Sequence, residues 1–279
     1  MKALRFYDVQ DLRYEDAPDP VIEKPDDVIV KVKAVGICGS DIARYRNLGP
    51  YVPGNVWGHE FCGEVVEVGE GVKNLKPGDR VVGCPNMVCH ECEYCKSGHP
   101  SRCENLNTIG AYVPGAYAEY IKLPEINFVK MADSMSYEQG ALVEPATVAI
   151  HGLYQTSIKM GYEVAVVGCG NIGLMAIAWA KAFGAKRVFA IDIDDAQLQL
   201  AKEFGADVLI NSTDIDFHDE IRKYGNGVDL AIESAGNPFT AARVLGLPHK
   251  GGEVVYMGIP YADVPIPRFY FERIMRNEL

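Results

Sequence analysis

Glu163-Val164-Ala165-Val166-Val167-Gly168-Cys169-Gly170-Asn171-Ile172-Gly173 is the stretch that decides the architecture. The run Glu163 to Val167 is apolar and β-branched, G-x-G-x-x-G follows it, and Leu174 to Phe183 then repeats apolar residues at helical spacing. A glycine fingerprint between a strand and a helix has one established use. The first Gly allows the tight turn, the second lets backbone approach a pyrophosphate, and the third lets helix and strand pack closely, with the helix N-terminus facing the phosphates. The next apolar run, Arg187 to Ile191, ends in Asp192, whose carboxylate can accept hydrogen bonds from an adenosine ribose diol, which favours NAD over NADP. The plainer alternative makes the glycines an ordinary turn and Asp192 a helix cap. Further strands at Asp207 to Ile210, Val228 to Ile232 and Glu253 to Gly258 bring the sheet to five. Apolar residues recur at helical spacing from Gln139 to Tyr154, so this parallel-sheet domain is expected to start near residue 155.

The first half has another texture. Short β-segments, Asp27 to Val35, Gly63 to Val68, Arg80 to Val82 and Ala116 to Lys122, alternate with turns such as Pro77-Gly78-Asp79, the pattern of a small β-barrel or sandwich. Within it stand Cys89, Cys92, Cys95 and Cys103, a C-x2-C-x2-C-x7-C run. Two-residue gaps let thiolates converge on one tetrahedral ion, and a closed four-sulfur shell holds structure without doing chemistry. Paired disulfides and an iron–sulfur cluster are the alternatives. Zinc is favoured over both, because nothing else suggests export and ferredoxin clusters are spaced differently.

Elsewhere in this half, Gly36-Ile37-Cys38-Gly39-Ser40-Asp41 follows a strand and Gly58-His59-Glu60 follows a Pro-Gly loop. They supply a thiolate, an imidazole and a carboxylate, and three protein ligands with an open fourth position make a catalytic zinc site. Either tripeptide alone would be unremarkable. The composition narrows the partners: 27 Lys and Arg against 38 Asp and Glu give a net charge of −11, which repels a nucleic-acid backbone. No run approaches the length of a membrane span, and Met1-Lys2-Ala3-Leu4-Arg5 opens no secretory signal, so a cytoplasmic protein is expected.

Taken together, these four signatures resemble the zinc-dependent medium-chain alcohol and polyol dehydrogenases, in the family's order and over essentially the whole length. The resemblance implies a GroES-like β-barrel catalytic domain over residues 1–154, with a structural zinc lobe at about 84–106, and a Rossmann NAD-binding domain over residues 155–279. It implies two zinc ions. Cys38, His59 and Glu144, from Leu142-Val143-Glu144-Pro145, become ligands of the catalytic ion, and Glu60 can ligate directly or exchange with water. Alcohol dehydrogenases carry Cys where this chain has Glu144, so the polyol branch is the better match, and within it the galactitol-1-phosphate 5-dehydrogenases. The substrate implied is a polyol or polyol phosphate, with galactitol 1-phosphate giving tagatose 6-phosphate. Sorbitol, xylitol, butanediol and threonine dehydrogenases are the alternatives. Ser40 would relay the proton, but the usual His three residues further on is Ala43. Arg44 and Arg46 would receive a phosphate, Gly168, Gly170, Asn171, Ile172, Gly173 and Asp192 the dinucleotide, and the Glu233-Ser234-Ala235-Gly236 turn its nicotinamide half.

The family's dinucleotide fold has six strands, and no sixth follows before Asn277-Glu278-Leu279. A truncated or split copy is one expectation, with weak turnover and a weakened version of the family's homodimer or homotetramer. An inactive zinc- and nucleotide-binding remnant is its extreme form.

Overall fold

A computed structural model describes residues 1–279, which divide into two compact units, Met1–Glu144 and Pro145–Leu279. The division falls at the start of the helix Val143–Tyr154, whereas the expected boundary at residue 154 lies at that helix's end.

In the first unit, five antiparallel strands run in the order Phe128–Lys130, Arg80–Gly83, Phe61–Val68, Asp27–Val35, Tyr120–Pro124. Their inward faces supply Val28, Val30, Phe61, Val65, Val81, Ile121 and Phe128 to one apolar core. A second sheet, Asp11–Asp16, Lys2–Asp8 and Asn55–Val56, was not foreseen from the sequence. Of Lys2–Asp8 only Ala3 and Phe6 are buried, so the strand lacks the period-two alternation that marks a half-buried strand. The expected strand Ala116 to Lys122 lies further along, at Tyr120–Pro124. The stretch before it runs beside residues Lys2 and Leu4, which exchange backbone hydrogen bonds with Tyr117 and Glu119.

In the second unit all five strands are parallel, in the order Val208–Asn211, Arg187–Asp192, Glu163–Val167, Val228–Glu233, Pro248–Tyr256. Val164, Val166, Val188, Ala190, Leu230 and Ile232 enter the core on one face, under Leu174 and Ile177 of the helix Asn171–Ala182. Their neighbours Ala165, Val167, Phe189, Ile191 and Ala231 face the opposite core, with Phe217, Ile221 and Leu247. Burial on both faces explains why these strands read as continuous apolar runs. The strand order reverses beside Glu163–Val167, which makes the carboxyl ends of Glu163–Val167 and Val228–Glu233 a topological switch point.

Two boundaries differ from expectation for physical reasons. The span Gln139 to Tyr154 holds two helices, because Ser136 and Gln139 form a reciprocal capping box that starts Tyr137–Ala141 ahead of Val143–Tyr154. The last strand begins at Pro248, five residues before Glu253. Its register with Val228–Glu233 slips between Val228 and Leu230, so His249-Lys250-Gly251-Gly252 hides the strand's start from a pattern search.

Candidate active site

Cys38 follows the end of the strand Asp27–Val35 by three residues and caps a one-turn helix, Gly39–Ala43, while His59 and Glu60 immediately precede the neighbouring strand Phe61–Val68. Pairing of those two strands, with Val35 opposite Phe61, brings the tripeptides together. One ligand atom from each of Cys38, His59 and Glu60 lies within 4.8 Å of the others. Glu144, in the first turn of its helix, is outside that tight group but close enough to be influenced by His59, Glu60 and Asp41.

The electrostatics are those of crowded anions. Burial pushes up the Cys38 thiol and the Glu60 carboxyl, and pushes Glu144 up to about 7, where His59 pulls the other way and Glu60 and Asp41 add repulsion. Three carboxyl groups and a thiol thus share one imidazole. Such a donor set suits a divalent cation, which replaces the missing positive charge, and the mixture of sulfur, nitrogen and oxygen suits zinc. Ser40 is exposed, and its side chain and amide draw the Cys38 thiol down against the effect of burial. Arg44 stacks 3.3 Å from the Tyr51 ring centroid and donates to the Gly49 carbonyl at 3.1 Å, and Arg46 is exposed.

Two residues of this site escaped the sequence reading. Asp41 is buried, accepts from the Cys38 amide at 3.0 Å, and has its other oxygen 3.9 Å from His59 Nδ1. The acid at the third position of a short helix was a signal for that cap. Tyr117 donates to Asp41 at 2.7 Å, and burial, then the Asp41 charge, holds its phenol protonated well beyond the usual range. No local signal marks a partner 76 residues away.

The four cysteines of the lobe also converge. The short hairpin Asn86–Met87 with Asn107–Thr108 frames the loop, and the four sulfurs lie within 4.8 Å of one another. Cys89 and Cys103 sulfurs are 3.5 Å apart, far from a disulfide bond of about 2.05 Å and near the roughly 3.8 Å expected between sulfurs on a tetrahedral zinc. All eight cysteines are free. Amides of Glu91 and Cys92 draw the Cys89 thiol down to about 6, amides of Cys95 and Glu104 lower Cys92, and burial pushes Cys95 up to about 12.

In the second unit the fingerprint glycines have three distinct surroundings. Gly168 has φ +93°, and a Cβ there would sit 2.5 Å from the Ala235 amide nitrogen. A Cβ on Gly173 would lie 1.9 Å from the Gly168 carbonyl oxygen. At Gly170, directly before the helix Asn171–Ala182, it would meet nothing within 4 Å. Two glycines are thus demanded by packing and the middle one by open space, which fits a phosphate approaching the first amides of the helix. Asp192 accepts from the amides of Cys169 at 2.6 Å and Ile193 at 2.7 Å, so its carboxylate is held at the turn. The Ser234 hydroxyl donates to the Gly168 carbonyl at 2.7 Å, and fully buried Glu233 accepts from Thr240 at 2.7 Å and from the amides of Ala235 and Gly236. Together these bonds hold the turn Glu233 to Gly236 against the fingerprint.

Residues 24–133 match the family described as "Alcohol dehydrogenase GroES-like domain", and residues 171–279 match "Zinc-binding dehydrogenase". The chain belongs to the zinc-dependent medium-chain dehydrogenases. As a member of that family it is an oxidoreductase of the NAD(P)-dependent alcohol and polyol group, with the GroES-like and Rossmann architecture expected of it. It is 39% identical to the sorbitol dehydrogenase of Bacillus subtilis (strain 168), over 93% of this chain and 75% of that protein. The crystal structure of galactitol-1-phosphate dehydrogenase from Escherichia coli superposes with a TM-score of 0.94 at 33% identity, covering 100% of this chain and 81% of that one. A zinc-binding dehydrogenase from Sinorhizobium meliloti 1021, solved bound to NADP, gives a TM-score of 0.90 at 35% identity, covering 100% and 82%. No helix of this dehydrogenase is long and apolar enough to cross a membrane.

Proposed function

We propose that this dehydrogenase oxidises a secondary hydroxyl of a polyol or polyol phosphate, galactitol 1-phosphate to tagatose 6-phosphate being the leading pair, and passes hydride to NAD. The observation that carries the reading is the convergence of Cys38, His59 and Glu60 within 4.8 Å, with Glu144 beside them. In this reading Cys38, His59 and Glu144 hold a catalytic zinc, Glu60 ligates in exchange with water, and Cys89, Cys92, Cys95 and Cys103 hold a structural zinc. Zinc bound at the first site supplies a Lewis acid that lowers the pKa of the substrate hydroxyl. Ser40 takes the hydroxyl proton, and because Ala43 offers no acceptor, water carries it onward. The open space at Gly170 and the first amides of its helix, at Asn171 and Ile172, receive the pyrophosphate, while Gly168 and Gly173 shape the turn. Asp192 accepts the ribose diol, and its charge opposes a 2′-phosphate, which supports NAD over NADP. The Ser234 turn meets the nicotinamide half through its backbone, since its hydroxyl is already spent on Gly168.

Phosphate recognition falls mainly to Arg46, because the face of Arg44 is stacked on Tyr51. That engagement, and the identity to a sorbitol dehydrogenase, favour a second reading in which the substrate is an unphosphorylated polyol. Zinc-loaded protein assayed for NADH formation separates the two. The first reading expects kcat/KM for galactitol 1-phosphate about tenfold or more above that for galactitol or sorbitol, with Arg46→Ala removing most of the difference. Equal efficiency would leave the second reading standing, and no NADH from any polyol would overturn both.

A further inference from the structure

The two oxygens of buried Asp41 have separate tasks. Oδ2 accepts from the Cys38 amide at 3.0 Å and from the Tyr117 hydroxyl at 2.7 Å, and Oδ1 is the atom turned toward His59 Nδ1, 3.9 Å away. The Tyr117 ring is itself fixed by backbone. It lies against Gly58, where φ is +96° and a Cβ would come within 2.5 Å of the ring. Its hydroxyl also lies 3.1 Å from the Gly36 carbonyl, but a phenol has one proton, and the shorter contact with a carboxylate claims it. An amide and a phenol converging on one oxygen define the plane of the carboxylate and aim the other oxygen at the imidazole.

We infer that Tyr117 is a positioning residue for the zinc site: its hydroxyl fixes Asp41 behind His59 and so sets how tightly the Cys38, His59 and Glu60 cluster holds its ion. The inference rests on the zinc reading given above. At 3.9 Å the contact is an electrostatic one, longer than a hydrogen bond, and it biases the imidazole toward the orientation in which Nδ1 faces the carboxylate and Nε2 would be left for an ion. Removing a directly hydrogen-bonded partner of a ligating imidazole changes metal affinity by about 10- to 100-fold. Tyr117 acts one bond further out. Tyr117→Phe keeps the ring on Gly58 and removes only the oxygen.

The test measures release of zinc from the full chain to a competing chelator, the cluster's ion being defined as the one missing from His59→Ala. Tyr117→Phe is expected to release that ion about three- to tenfold more readily, leave the cysteine lobe's ion unchanged, and shift the ligand-field absorption of cobalt(II)-substituted protein. In an Asp41→Asn background the same substitution should add nothing, since the two residues act through one link. Retention equal to the parent's, or an undiminished loss in the Asp41→Asn background, overturns the inference while leaving the zinc reading intact. A parent protein with no His59-dependent ion removes the zinc reading and this inference together. Should Asp41→Asn not fold, the cobalt spectrum of Tyr117→Phe decides alone: an unshifted spectrum is the negative result.

Discussion

The first unit contains two clusters of metal-type donors that solve the same electrostatic problem in opposite ways. In the cysteine lobe every donor comes from one short loop, three of the residues are half-buried and Cys103 is buried, and backbone amides of Glu91 and Cys92 stabilise the Cys89 thiolate before any cation arrives, while burial pushes Cys95 the other way. In the Cys38, His59, Glu60 cluster the donors come from separate segments, burial disfavours every negative charge, and a single imidazole faces three carboxyl groups. On the two-zinc reading proposed above, the difference teaches how a chain separates a structural site from a reactive one. Four sulfurs can close a tetrahedral shell around an ion, whereas a mixed set of three protein donors can leave a fourth position for an oxygen ligand.

The sharpest way to break the contrast is His59→Ala. Turnover should fall by about a thousandfold or more, roughly 4 kcal/mol of barrier, with zinc content dropping from two ions to one and the melting temperature of the chelated protein little changed. A variant that keeps both ions and most of its rate would end the distinction. Cys92→Ser should give the reverse pattern. Loss of the lobe's ion removes folding free energy, so a drop in stability of about 3 kcal/mol or more in denaturant melts is expected. The rate per folded molecule should stay within about threefold of the parent, because a closed four-sulfur shell takes no part in chemistry.

Acidity offers a subtler test, since Glu144 of one cluster and Cys89 of the other should respond with opposite sign. The folded-state pKa of Glu144 is raised to about 7 from the ordinary 4.5, so folded protein holds that proton more tightly than unfolded protein does. Stability of zinc-free protein should therefore be greatest below about pH 4.5 from this group and decline as pH rises toward 7, by on the order of 2 to 3 kcal/mol. Glu144→Gln should flatten that slope in thermal melts, and an unchanged slope would show that the carboxyl is not held protonated by burial. Cys89, drawn down from 9 to about 6, contributes stability that is present above the unfolded value and lost as pH falls through 6. The smallest effect follows from it: thiolate absorbance lost in Cys89→Ser, as a difference against the parent without metal, should titrate with a midpoint near 6. A midpoint near 9 would remove the amide contribution from the comparison.

How much of this was legible in the sequence depends on how local each feature is. The C-x2-C-x2-C-x7-C run and the G-x-G-x-x-G turn carry their geometry in their spacing: the four sulfurs lie within 4.8 Å of one another, and the glycines stand where a Cβ would clash at Gly168 and Gly173 and meet open space at Gly170. The strands Asp27–Val35 and Glu163–Val167 read correctly because a β-branched run buried in a sheet has few other uses. Lys2–Asp8 was invisible because its two buried residues are three apart. Ser234 was expected beside the cofactor; its turn is held against the fingerprint by a hydroxyl committed to the Gly168 carbonyl, a detail that no spacing rule contains. The bond between Tyr117 and Asp41 joins residues from distant parts of the chain through tertiary packing alone, so only coordinates could reveal it.

The compactness of the lobe in sequence bears on how the molecule is made. All four of its sulfurs have been synthesised once Cys103 leaves the ribosome, whereas the buried cluster must wait for Glu144 and for two strands to pair. On the two-zinc reading, a nascent chain completes the lobe's donor set tens of residues before that of the buried cluster, and translation itself keeps the two acquisitions apart in time.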